Sequence, residues 1–225
     1  MKQIVKGHKS PWIISLLLAV LLMAGCSVSG GQESQPSAAT PSVSQAPQEE
    51  EMEHMLPILE GIALCMEGGE AYDQSSAQGV WGMLYYIAYN NGAQGRDAVL
   101  GEDGTLTVSV GLMERYAAAC FENMGELPEI PDSLRTISYQ EQEQAYLLKA
   151  SDKGPVYGKI YTTEKVTEGL YRATLNLYGE DDSPIEQYEY TLVDNPLEQD
   201  GQEPSYAYAV RSANKVVINP GNLAR

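Results

Sequence analysis

The sequence predicts an α+β domain in which N-terminal helices pack on a curved antiparallel β-sheet of about six strands. Three observations predict it. Apolar residues recur at helical spacing three times between Met55 and Met124. From Thr136 the rhythm becomes alternation, as in Tyr171-Arg-Ala-Thr-Leu-Asn-Leu177, Tyr188-Glu-Tyr-Thr-Leu192 and Tyr206-Ala-Tyr-Ala-Val210. Short turn signals then separate successive runs, at Asp152 to Gly154, Glu168-Gly169, Gly179 to Pro184 and Asn195 to Pro204. Parallel strands need a crossover of about a dozen residues, so these connections favour antiparallel neighbours.

The elements follow in order. Met55, Ile58, Leu59, Ile62 and Met66 form the stripe of a first helix, with Pro57 in its permissive first turn and Gly68-Gly69 at its end. Ser75-x-x-Gln78 has the form of a capping box. It opens a second helix whose stripe, Val80/Trp81, Leu84/Tyr85 and Ile87/Ala88, stops at Asn90-Asn91-Gly92. A Gly-rich loop leads to a short strand, Thr105 to Ser109. Leu112/Met113, Tyr116/Ala117, Cys120/Phe121 and Met124 then mark a third helix, closed by Gly125, Pro128 and Pro131. About six β segments between Thr136 and Ile218 complete the domain.

What precedes Met55 is of another kind. Lys2, Lys6 and Lys9 give a positive start, Trp12 to Met23 is almost wholly apolar, and Ala24-Gly25 is a small-residue pair. That is the pattern of a secretory signal over residues 1–25. The apolar core falls short of the roughly 20 residues that a bilayer span needs. Cys26 directly after Ala24-Gly25 makes the stretch resemble a bacterial lipoprotein signal, with Met23 where Leu is usual. The resemblance implies lipid attachment at Cys26 and residence on the extracytoplasmic face of the cell membrane. Two or more acyl chains on one residue suffice for stable anchoring, since each buried CH₂ contributes about 0.8 kcal/mol. Residues 26–53, rich in Ser, Gln, Pro, Gly and Ala, read as a disordered leash, and 54–225 as one domain.

Two further resemblances concern that domain. The order helix, helix, short strand, helix, long strands is similar to the cone-shaped fold of the nuclear-transport-factor-2-like superfamily, which implies a curved sheet around a pocket. Thr107-Val-Ser, Ala119-Cys120-Phe121, Leu127-Pro128-Glu-Ile130-Pro131 and Tyr190-Thr-Leu-Val-Asp-Asn195-Pro196 resemble uncharacterised lipoproteins of Gram-positive anaerobes. That group supplies no activity to carry over.

Composition limits the chemistry. The chain carries 14 Lys+Arg against 31 Asp+Glu, a net charge of −17, and loss of residues 1–25 removes three lysines to leave −20. Such a field repels nucleic acid and anionic lipid surfaces, and it suits solubility. The chain has 2 His, of which only His54 follows the signal, so a Ser-His-Asp or Cys-His relay lacks its proton carrier. Zinc needs four N/S ligands at short spacing, and Cys65, Cys120 and remote His54 do not supply them. Glu180-Asp181-Asp182 lacks the alternating spacing of a calcium loop and reads as a solvated turn. Gly92-Ala-Gln-Gly95 matches neither phosphate-loop spacing. No cofactor is implied.

The remaining candidates stay open. Cys65 and Cys120 fit two buried small hydrophobes, a disulfide between the first and third helices, or a reactive thiol. Tyrosine, 15 against a single Phe, fits either a sheet core or a Tyr-lined groove for a sugar, peptide or wall fragment. On the second helix Trp81, Tyr85, Tyr86 and Tyr89 form a second candidate cluster; helical spacing puts Trp81 and Tyr85 in the core stripe and leaves open whether Tyr86 and Tyr89 face elsewhere. Glu141, Glu143, Glu186, Glu189 and Asp194 are available as acids or bases, but burial decides whether any is tuned. The expectation is a non-catalytic, membrane-anchored module that binds a ligand, cell-wall component or envelope protein. The alternatives are a small pocket enzyme using carboxylate and tyrosine, and a structural subunit of an envelope complex.

Overall fold

The computed structural model describes residues 49–150, 155–197 and 206–217, all within the compact unit Ser42–Arg225. The signal, Cys26 and the leash up to residue 48 lie outside the described residues. Three helices, α1 (Glu49–Glu67), α2 (Ala77–Asn91) and α3 (Val110–Cys120), accompany eight strands. The strands are β1 (Ala98–Leu100), β2 (Leu106–Ser109), β3 (Ile137–Gln140), β4 (Ala145–Leu148), β5 (Tyr157–Thr167), β6 (Leu170–Tyr178), β7 (Pro184–Asp194) and β8 (Tyr208–Val216). The class is α+β and every strand pair is antiparallel.

The expected single sheet of about six strands is replaced by two four-stranded sheets, ordered β1-β2-β4-β3 and β5-β6-β7-β8. Alternation finds strands but does not choose their partners. β4 takes β2 as a neighbour, pairing Leu106 with Leu148 and Ser109 with Ala145, although the whole of α3 separates them in sequence. The β3–β4 hairpin therefore joins the earlier strands and leaves β5 to β8 as a meander.

The helices lie between the sheets. α1 packs on β5, β6 and β8, while α3 touches β8 on one side and β2 on the other. α2 packs along α1 and reaches the first sheet through Trp81, whose ring centroid lies 4.9 Å from that of Tyr146. One continuous core results, with Met55, Ile58, Leu59, Trp81, Leu84, Ile87, Tyr116, Leu175, Tyr188 and Tyr190 fully buried.

The excess of tyrosine over phenylalanine has a structural reason in this layering. Tyr208, Tyr190 and Tyr188 bury their rings like Phe, yet each donates its hydroxyl to α1. The acceptors are Glu51 Oε2 at 2.7 Å, the Leu59 carbonyl at 2.8 Å and Glu67 Oε2 at 3.0 Å, which span the helix from first turn to last. Tyr72 donates to the Cys120 and Val210 carbonyls at 2.9 and 2.8 Å. Tyr85 and Tyr89 donate to the Lys149 and Leu148 carbonyls, tying α2 to the end of β4.

Three local expectations shift. α1 begins at Glu49, five residues before the expected domain boundary at 54, and buries Met52. Acidic side chains suit a helical first turn because its free N–H groups carry partial positive charge, so Glu49, Glu50 and Glu51 extend the helix. Pro57 is consequently interior and withholds a hydrogen bond from the Glu53 carbonyl; Glu53 is exposed, within reach of solvent. The cap of α2 is Ser76, whose Oγ accepts from Gly79 N–H at 3.1 Å. Ser75 instead bonds back to Asp73. Ser76→Ala is expected to cost about 1 kcal/mol in chemical denaturation and Ser75→Ala a few tenths. Finally, α3 stops at Cys120 because Glu122 N–H turns to the Val210 carbonyl at 2.8 Å, which draws Phe121 into extended backbone.

Candidate binding cleft

α1 and α2 run antiparallel and close together, which follows from where they carry glycine. A Cβ on Gly61 would stand 2.5 Å from Ile87 Cγ1 and 2.7 Å from the Ile87 backbone nitrogen. Four residues further along α1, Cys65 Sγ lies 2.8 Å from where a Gly82 Cβ would be. At the first level α1 puts no side chain against the α2 backbone, and at the second the Cys65 thiol fills the space that Gly82 leaves. Past this crossing lies a cleft of about 210 Å³, floored by Cys65 and Gly82, walled by Tyr86 and Gln78 on one side and by Leu134 and Ile137 on the other. Glu70 stands at its rim.

The far wall is held in place by two side chains of α2. Trp81 Nε1 donates to the Pro128 carbonyl at 2.9 Å, and Gln78 Oε1 accepts from Ser133 Oγ at 2.7 Å. Liquid water takes about 30 Å³ per molecule, so the hollow has room for about seven waters or one medium-sized side chain. Its floor is apolar in practice. Cys65 is 3% exposed, and burial, then the nearby Glu70 charge, pushes its thiol up to about 12. Burial, followed by Cys65 and Tyr85, likewise raises the Tyr86 hydroxyl. Both groups stay protonated at neutral pH; the Cys65 thiol donates to the Gly79 carbonyl at 3.9 Å, and the Tyr86 hydroxyl can donate a hydrogen bond without presenting charge.

Of the second-helix aromatics, Trp81 is 1% exposed and Tyr85 7%, so both belong to the core as expected. Tyr89 is half-buried and held by backbone carbonyls at Gly104 and Leu148. Tyr86 reaches the cleft. The sheet tyrosines Tyr171, Tyr188, Tyr190 and Tyr208, and Tyr206 just before β8, are buried and line no described cleft. Tyr157 and Tyr178 stack 5.6 Å apart on the second sheet, with Lys159 Nζ 5.0 and 4.9 Å from their ring centres.

Cys65 and Cys120 are both free and buried. Burial also pushes the Cys120 thiol well up. With Cys26 replaced by Ser, a thiol reagent at pH 8 is expected to label neither cysteine in the folded chain within minutes, and both at once in denaturant. Full labelling of Cys65 before unfolding would contradict the protonated floor.

The carboxylate candidates are dispersed. Glu186 pairs with Lys215 at 2.8 Å and Glu189 with Arg172 at 3.6 Å. Glu141 and Glu143 are exposed in the β3–β4 turn. Asp194 ends β7, beside Gly169. Asp181 accepts from Ser183 N–H at 3.1 Å, and Asp182 accepts from the Tyr157 hydroxyl. Among the described residues no cluster of three or more His, Cys, Asp or Glu could hold a metal ion. His54 is exposed on α1. Carboxylate and tyrosine hydroxyl meet at the two ends of α1, in Tyr208–Glu51 and Tyr188–Glu67, and on the second sheet in Tyr157–Asp182, and none of these pairs lines the cleft.

The sequence pointed to Tyr86 and Cys65 but not to their opposing wall. Leu134 lies in a Pro-containing stretch that reads as a connection and Ile137 at the start of the β segments, and the Trp81 and Gln78 bonds help to bring this stretch over α2. No family model, curated protein or solved structure matches the chain. Among the described residues no helix is long and apolar enough to cross a membrane.

Proposed function

We propose that this chain is a lipid-tethered module on the extracytoplasmic face of the cell membrane that binds a partner or ligand without transforming it. The observation that carries the binding half is the cleft beside Tyr86: an apolar floor, a hydroxyl and an amide on its walls, and a volume of about 210 Å³. Ligand pockets for whole small molecules run from about 300 to 1,000 Å³. A hollow below that range suits one protruding side chain of a larger partner. The groups that could do acid–base work favour the same reading, because the tyrosine–carboxylate contacts at Glu51 and Glu67 secure α1, Tyr157–Asp182 lies away from the cleft, and the thiol at the cleft floor is protonated.

The tether rests on the residues around Cys26. Source cells grown with labelled palmitate are expected to incorporate label into the chain, and Cys26→Ser is expected to abolish it. Label that persists in the Cys26→Ser chain, or no label in the parent, would overturn the tether.

A further inference from the structure

Among the described residues four strands stand at sheet edges, and three of them carry devices against added pairing. β5 has two register shifts, between Ile160 and Thr162 and between Lys165 and Thr167, and bears Lys159 and Lys165. β8 is shifted between Val210 and Ser212 and bears Arg211 and Lys215. β1 is three residues long, and its Ala98 is already bridged to Gln94. Bulges, cations and short length are the usual means of blunting an edge. β3, Ile-Ser-Tyr-Gln, pairs with β4 without a shift and carries no charge.

Its open groups can be assigned. Lys149 N–H donates to the Thr136 carbonyl at 2.8 Å, which makes Thr136 and Lys149 a hydrogen-bonded pair. In an antiparallel ladder such pairs alternate, so Ser138 and Gln140 also point their backbone groups at β4. Ile137 and Tyr139 therefore point theirs outward. Ile137 N–H is taken by the Leu134 carbonyl at 3.1 Å. Among the described residues no backbone group bonds the Ile137 carbonyl or the Tyr139 N–H and carbonyl. Tyr139 is 42% exposed there.

The cleft adjoins this edge, since Thr136 and Ile137 line it. A strand added to β3 would extend the first sheet toward it, and every second side chain of that strand would face the helices. Acidic residues border the path: Asp132 before β3, Glu141 and Glu143 after it, and Glu70 at the cleft rim, against Arg135 and Lys149.

We infer that β3 and the Tyr86 cleft together form a docking site for an extended, basic-flanked peptide segment of a partner protein, which adds a strand to β3 and inserts one apolar or aromatic side chain between Tyr86 and Leu134. The main chain supplies direction through a few hydrogen bonds and the cleft supplies selectivity, the usual division in strand addition. The inference rests on the proposed binding role of the cleft and is independent of the tether.

The probe is the peptide acetyl-KTVFVTK-amide, titrated against the full-length chain by fluorescence anisotropy. It is expected to bind in the sub-millimolar range. Replacing its Phe by Ala, or both Lys by Glu, is expected to weaken binding about tenfold, or about 1.4 kcal/mol. N-methylation at alternate residues should cost about tenfold in one phase and little in the other, because only one phase faces β3. Tyr139→Pro, which removes an edge donor but no bond to β4, should match the damaging phase. No binding at millimolar peptide, or binding indifferent to N-methylation in both phases, would overturn the site. The methylated peptides decide the matter on the parent chain even if Tyr139→Pro does not fold. Either result leaves the palmitate experiment untouched, and loss of the tether would leave this one untouched.

Discussion

Replacing Gly61 by Val is expected to lower the unfolding free energy by about 3 kcal/mol, the upper end of the usual cost of overpacking a core. The first carbon of the new side chain would stand 2.5 Å from Ile87 Cγ1 and crowd the Ile87 backbone nitrogen at 2.7 Å. A side chain can rotate away from such a clash, but a helix backbone cannot, so α2 must move as a body. Gly61→Ala should already cost about 1–2 kcal/mol through the same atoms. The functional consequence follows from geometry: separating the helices at Gly61 and Ile87 also separates Cys65 from Gly82, which is the floor of the cleft. Urea denaturation gives the stability change, and peptide binding by the same variant should weaken with it.

The second large effect is expected at Tyr190. It is fully buried, and its hydroxyl donates to the Leu59 carbonyl in the middle of α1. Tyr190→Ala should cost about 3–5 kcal/mol, as for other large aromatic-to-alanine changes in cores. Tyr190→Phe keeps the ring and should cost about 1 kcal/mol, the net value of one hydrogen bond. Tyr188→Phe should cost less, because its acceptor Glu67 is exposed and also paired with Lys215 at 3.1 Å. Losses in denaturation midpoint that fall in the order Tyr190→Ala, then Tyr190→Phe, then Tyr188→Phe are the signature of hydroxyls that fasten α1 to the sheet. No loss from either Phe substitution would mean that the hydroxyls contribute nothing to fastening α1.

Local patterns in the sequence led to the right elements wherever a stripe or an alternation is enough to define one. Val80 to Ala88 could be read as a helix, and Tyr188 to Leu192 as a strand, because each repeats the period of the structure it forms. Partner choice was not legible. Nothing in Leu106-Thr-Val-Ser109 says that it will lie beside Ala145 to Leu148, because that pairing depends on α3 folding over and returning the chain. The start of α1 was hidden for a different reason: Glu49 to Glu51 look like solvated leash by composition, whereas at a helix N-terminus the same charges are favourable. The cleft was half visible. Tyr86 could be placed off the core stripe of α2 and Cys65 on or beside that of α1, but the opposing wall depends on β3 choosing β4 and on a tryptophan and a glutamine reaching across to the loop before it.

The most direct test of the binding account is site-specific photocrosslinking on intact source cells. A benzophenone side chain placed at Tyr86 is expected to give one discrete crosslinked product, and placed at Tyr139 to give the same one. At Val99, exposed on the opposite edge of the first sheet, it is expected to give none. Equal products from Val99 and Tyr86, or none from Tyr86 and Tyr139, would contradict the account.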